Sequence, residues 1–176
     1  MAPLVLTFVG DDRPGLVNAI SEIIAASGGT WLESRSAELA GKFAGILLAS
    51  VPEAKLSELE AALRSLEAAG LHVTIERGTP AEPGGRERLI KLDILGNERP
   101  GIVRDVTQAL SRLGVNIEEF SSGLESAPFS GVEMFRASAR LRAPDGVSLD
   151  DLRKALERLA GEIMVDLAVD EDSAKS

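Results

Sequence analysis

The chain repeats itself. The stretch Gly10-Asp11-Asp12-Arg13-Pro14-Gly15-Leu16-Val17 returns as Gly96-Asn97-Glu98-Arg99-Pro100-Gly101-Ile102-Val103. The spacing that aligns these two stretches also pairs Leu6 with Leu92, Gly28 with Gly114, Glu33 with Glu119 and Ser36 with Ser122. It continues to Phe43 with Phe129 and Gly45 with Gly131. Beyond that point the second copy is a few residues longer, because Val51-Pro52 matches Ala143-Pro144. Matched glycines and apolar positions over so long a stretch mark a duplication, with each copy one small domain.

Each copy reads as strand, helix, strand, strand, helix, strand. Pro3–Val9 is a short apolar run closed by Gly10, the pattern of a buried strand. Leu16, Ile20, Ile23, Ile24 and Ser27 recur at helical spacing, with Pro14 in the first turn and Gly28-Gly29 at the end. Residues 30–39 and 43–51 flank Gly41-Lys42 as a hairpin. Leu56, Leu59, Leu63 and Leu66 form the stripe of a second helix, and Leu71, Val73 and Ile75 alternate as a last strand. The second copy follows with strand 89–95, helix 100–113, strands 115–124 and 131–141, a helix carrying Leu149, Leu152, Leu156 and Leu159, and a strand carrying Ile163, Val165 and Leu167. This order predicts an α+β fold: two ferredoxin-like βαββαβ domains, each a four-stranded antiparallel sheet with both helices on one face. The expected boundaries are 1–77 for the first domain, 78–87 for a Gly/Pro-rich linker, 88–169 for the second domain and 170–176 for a polar tail.

Composition removes several function classes. There is no Cys, so neither a disulfide nor a thiolate site is available. His72 is the only histidine and alternates toward solvent in its strand, which argues against a nucleophilic triad or a His-rich metal site. No catalytic residue, metal or cofactor is expected. The formal net charge of -9 repels phosphate backbones, and the low aromatic content of 3% leaves the strands without stacking platforms, so direct nucleic-acid binding is not expected. The first residues lack a basic signal-peptide region and no apolar run approaches a membrane span, so a cytoplasmic protein is expected.

The repeated loop is where ligand chemistry concentrates. Gly10 is free to turn sharply out of the strand, Pro14 starts a helix at no cost in hydrogen bonds, and Gly15 removes a side chain where a ligand would approach. Free N–H groups there favour a carboxylate, while Asp11 and Asp12 accept from an ammonium. Together they suit the zwitterion of a small α-amino acid. The same residues also make a plain turn in which Asp12 caps the helix. Both readings stand at this level.

The Asp-Arg-Pro-Gly stretch, its helix, and Gly-Val-Asn-Ile at residues 114–117 resemble the ACT domain, a regulatory module of amino-acid metabolism. Two such units in tandem resemble the glycine cleavage system transcriptional repressor group. The resemblance implies ligand sites in which one ACT unit supplies the strand-to-helix loop and a paired unit supplies the start of its second strand. By position these are Gly10, Asp11, Asp12, Arg13, Pro14 and Gly15 with Asn116, and Gly96, Asn97, Glu98, Arg99, Pro100 and Gly101 with Thr30. It further implies a ligand of the glycine or serine class and an output through a protein partner such as a transcription factor. Homodimers are a further expectation.

Among the remaining residues, Trp31 at a strand start is expected to pack in a core or interface. Arg136, Arg140 and Arg142 share a parity, so they project from one sheet face, either as a solvated face or as a patch for an acidic partner.

Overall fold

The computed structural model describes residues 1–79, 88–126, 131–159 and 163–169. Most of the expected linker and the whole expected tail lie outside the described residues, as does Phe129. The chain divides into two compact units, Met1–Glu82 and Pro83–Ser176.

In the first unit, strand β1 (Ala2–Asp11) leads to helix α1 (Leu16–Ala26), strands β2 (Thr30–Leu39) and β3 (Lys42–Val51), helix α2 (Leu56–Arg64) and strand β4 (Leu71–Arg77). The second unit repeats the order as β5 (Arg88–Asn97), α3 (Ile102–Arg112), β6 (Asn116–Ser126), β7 (Glu133–Ala143), α4 (Leu149–Glu157) and β8 (Ile163–Val169). The sheets run β2-β3-β1-β4 and β6-β7-β5-β8, with every neighbouring pair antiparallel. This is the ferredoxin-like architecture read from the sequence.

Alternation builds each core. Leu4, Leu6 and Phe8 on β1 face the same side as Leu47, Ala49 and Val51 on β3, and all are buried. Leu16, Ile20 and Ile24 of α1, with Leu59 and Leu63 of α2, cover that side. Ile90, Leu92 and Ile94 on β5, covered by Ile102, Val106 and Leu110 of α3 and by Leu152 and Leu156 of α4, repeat the arrangement. Truncating one such side chain, for example Leu6→Ala, costs about 2–5 kcal/mol.

The central strands β1 and β5 therefore present their ends, and the loops that follow them, at one rim of each sheet.

The repeat is not collinear where the sequence suggested. Gly10 pairs with Phe43, and Gly96 pairs with Phe135. Phe135, not Phe129, is thus the counterpart of Phe43. Ala137, not Gly131, is the counterpart of Gly45, because they stand opposite Ile94 and Phe8 respectively. Gly131 instead has a φ of 67° before β7 begins, a turn conformation. The extra residues of the second copy belong to the β6–β7 connection. The strands accordingly run to Ser126 and start at Glu133, rather than at 124 and 131.

Candidate functional site

The strand-to-helix loop is built alike in both units, and differently from the expectation. Neither helix begins at its proline: α1 starts at Leu16 and α3 at Ile102. The residue before each is a glycine in the left-handed region, Gly15 at φ 94° and Gly101 at φ 86°. These glycines are required by backbone conformation, and no side chain caps either helix. Asp12 is therefore not a helix cap. Its N–H donates to the Gly41 carbonyl at 2.9 Å, tying the loop to the β2–β3 turn. The matching bond in the second unit runs from the Glu98 N–H to the Glu133 carbonyl at 3.3 Å. Gly10 is also not a sharp exit: it remains in β1 with no positive φ. A methyl there would lie 2.8 Å from the Gly70 carbonyl oxygen, so Gly10 admits the chain entering β4.

The charged residues of the loops are engaged. Asp11 receives Lys42 Nζ, and that cation holds the carboxyl below its usual value. Arg13 donates to the Ala69 carbonyl, at the end of the short 3-10 turn (Ser65–Ala69) that follows α2. Arg99 does the corresponding thing, reaching the Leu159 carbonyl beyond α4 at 3.2 Å. Both arginines thus bind a carbonyl at the C-terminal end of their unit's second helix. Arg99 also donates through Nη1 to Asp105 Oδ2 at 2.8 Å, and Arg104 donates to Asp105 Oδ1 through Nε at 3.0 Å and Nη2 at 2.9 Å. Hydrogen bonds from Arg99 first and Arg104 second lower the Asp105 carboxyl.

Each loop borders an open cleft. In the first unit it measures about 280 Å³ and is lined by Asp12, Arg13, Gly15, Leu16, Val17, Asn18 and Phe43. In the second unit it measures about 300 Å³ and is lined by Glu98, Arg99, Gly101, Ile102, Val103, Phe135 and Ser122–Leu124 of β6. Both are at the small end of ligand-pocket volumes. The sequence did not single out Phe43 and Phe135. The signal was the register, because each stands opposite the glycine that ends the central strand.

Thr30 and Asn116 are exposed first residues of β2 and β6, paired with Ser50 and Arg142. Ser50 lies across from Pro3, whereas the loop follows Gly10 at the other end of β1. Within one unit, loop and strand start are thus at opposite rims of the sheet, and no unit brings them together on its own.

Arg136, Arg140 and Arg142 do share the helix-free face of their sheet, where they pair with Glu125, Glu119 and Glu118. This is an ion-paired, solvated face. His72 is exposed and Trp31 packs half-buried against the first core. Among the described residues, no group of three or more His, Cys, Asp or Glu is placed to hold a metal ion, and no helix is long and apolar enough to cross a membrane.

Residues 2–76 match the ACT domain family, and the second unit repeats the same strand order and loop. This is a tandem ACT-domain chain. The tandem is 29% identical over 177 residues to phosphoserine phosphatase SerB2 of Mycobacterium tuberculosis, covering 96% of this chain but 40% of the phosphatase. It is 26% identical over 164 residues to the glycine cleavage system transcriptional repressor of Escherichia coli, covering 91% of this chain and 85% of the repressor. Among solved structures, an unknown protein from Galdieria sulphuraria superposes with a TM-score of 0.80 at 30% identity, covering 96% of this tandem and 98% of that chain.

Proposed function

We propose that this tandem ACT chain is a non-catalytic regulatory protein whose strand-to-helix loops receive a small α-amino acid, of the glycine or serine class. The observation that carries the reading is the repetition of one cleft. In both units it is bordered by the Arg-Pro-Gly loop, the positive-φ glycine and a phenylalanine opposite the end of the central strand. Each phenylalanine also packs on its unit's core, so the cleft has a fixed apolar inner wall. Thr30 and Asn116 would complete such sites from an ACT unit other than the one that supplies the loop. Occupancy can change the protein's contacts only by as much as the ligand's affinity differs between its conformations. The output is contact with a protein partner, a transcription factor if the likeness to the repressor extends to its role.

Calorimetry of the full chain against each of the twenty common amino acids tests the binding step. Heats from none of them would sink the proposal. Expression of the chain in an Escherichia coli strain lacking its glycine cleavage system transcriptional repressor tests the output. Restored repression supports it, and an unaltered derepressed state removes the transcriptional part. A second reading, a regulatory part of an enzyme system, draws on the alignment of this tandem to two-fifths of a phosphatase.

A further inference from the structure

The two clefts have diverged at corresponding positions. Leu124 pairs with Phe135 as Glu38 pairs with Phe43, but Leu124 lines the second cleft whereas Glu38 does not line the first. Arg104 is the third residue of α3 as Asn18 is of α1. In the first unit Glu38 accepts from the Gly41 N–H at 2.6 Å and Asn18 donates to Glu22 at 2.8 Å. Among the described residues Val17, 42% exposed, is the one large exposed apolar side chain lining that cleft. In the second unit the floor is Ile102 and Phe135, each 4% exposed, while Leu124 stays 56% exposed and Val103 40%. An aliphatic group laid between those two side chains removes apolar surface from water on both. The mouth carries both signs of charge. Glu98 lines it, and the Arg104 guanidinium lies over Gly101, with Nη2 3.1 Å from where a methyl on that glycine would sit. Arg104 uses Nε and Nη2 on Asp105, while Nη1 has no partner among the described residues.

We propose that the second unit's cleft selects α-amino acids with an aliphatic side chain, of the leucine or valine class, over glycine and serine. Arg104 takes the carboxylate, Glu98 the ammonium, and Leu124 and Val103 the side chain. The inference rests on the reading of these loops as amino-acid sites, and for the second loop it replaces the glycine or serine class with an aliphatic one.

Titration of the full chain with leucine, valine, glycine and serine, followed by calorimetry, tests it. Leucine should bind at least about tenfold more tightly than glycine, the effect of roughly two buried methylenes. Leu124→Glu, which installs the residue of the first unit at an exposed position, should abolish that preference without lowering Tm. Val103→Asn, also at an exposed position, reads the same wall independently. Glycine or serine binding that both variants weaken as much as they weaken leucine binding, or leucine binding that survives both variants unchanged, overturns the inference and leaves the loops as amino-acid sites. Silence from all four amino acids, with no heat from the rest of the panel, overturns both.

Discussion

Asp105 receives Arg99 on one carboxylate oxygen and Arg104 on the other, and Ala19 holds its place in the first unit. The pair of guanidiniums beside the second cleft is therefore anchored by a residue that the Arg-Pro-Gly repeat does not include. The first loop has a different anchor, the ion pair between Asp11 and Lys42.

The Asp105 contact makes the second loop sensitive to acid. Its carboxyl titrates below the usual 3.8 because Arg99 and Arg104 donate to the ionised form. A folded-state value below the unfolded one contributes stability above the unfolded value and loses it as pH falls through the folded one. The loss should therefore appear below about pH 4, with nothing gained by raising pH above neutrality. Asp105→Asn should lower Tm at neutral pH and reduce the part of the acid-dependent fall that belongs to this residue. Melting curves of the two proteins between pH 2.5 and 7 decide it. Parallel pH profiles would mean that the three side chains are not coupled.

Gly15 and Gly101 separate backbone strain from packing. Both lie in the left-handed region, where an L side chain costs about 1–2 kcal/mol. A methyl on Gly15 meets no other group within 4 Å, so Gly15→Ala should cost that strain alone. A methyl on Gly101 meets the Arg104 guanidinium, so Gly101→Ala should also displace Arg104 and loosen its bond to Asp105. Urea melts of each variant with and without Asp105→Asn read the difference. Coupling to Asp105 is expected for Gly101 and not for Gly15.

The sequence carried the fold because apolar alternation and helical stripes are local signals, and the duplication supplied each of them twice. Leu4, Leu6 and Phe8 needed only their own period to be placed in a core. The site was less legible. Gly10 and Gly15 both suggested freedom to turn, yet only Gly15 uses a positive φ, and Gly10 instead makes room for Gly70. That distinction depends on β4 entering beside β1, a contact between residues far apart in sequence. Phe43 and Phe135 were hidden by extra residues in the β6–β7 connection, which shifted the apparent partner to Phe129. Arg13 and Arg99 looked like ligand groups, but each reaches a carbonyl near the end of its unit's second helix.

Charge makes a separate prediction about nucleic acid. The formal net charge is -9, and among the described residues the arginines of β7 are paired with Glu118, Glu119 and Glu125, so that face is not the cationic stripe that tracks a phosphate backbone. Anisotropy of labelled duplex DNA at physiological salt should show no binding up to tens of micromolar protein. A micromolar complex that weakens steeply with added salt would contradict this.

Phe8 and Gly45 face each other across β1 and β3, and their counterparts Ile94 and Ala137 face each other across β5 and β7. The large residue shrinks where the small one grows, so the two cores solve one packing problem in two ways. In the first unit a methyl on Gly45 would sit 2.4 Å from Phe8 Cζ and 2.8 Å from the Arg35 carbonyl oxygen. Phe8 also stacks at 5.8 Å on Phe43, which restricts its retreat. Gly45→Ala should therefore destabilise the first unit by about 1–3 kcal/mol, as overpacking does. Phe8→Ile alone should also destabilise, by leaving space above Gly45 and losing the contact with Phe43. In the double variant the Ile/Ala pair of the second unit is reproduced, and the clash with Phe8 Cζ is gone. The double variant should be more stable than the sum of the two single effects implies, by about 0.5–3 kcal/mol, the range for residues in contact. Urea unfolding of all four proteins measures that coupling. Strict additivity would mean that β2, through the Arg35 carbonyl oxygen and Ser36 Cβ, both 2.8 Å from that methyl, is what excludes a side chain at position 45 rather than Phe8.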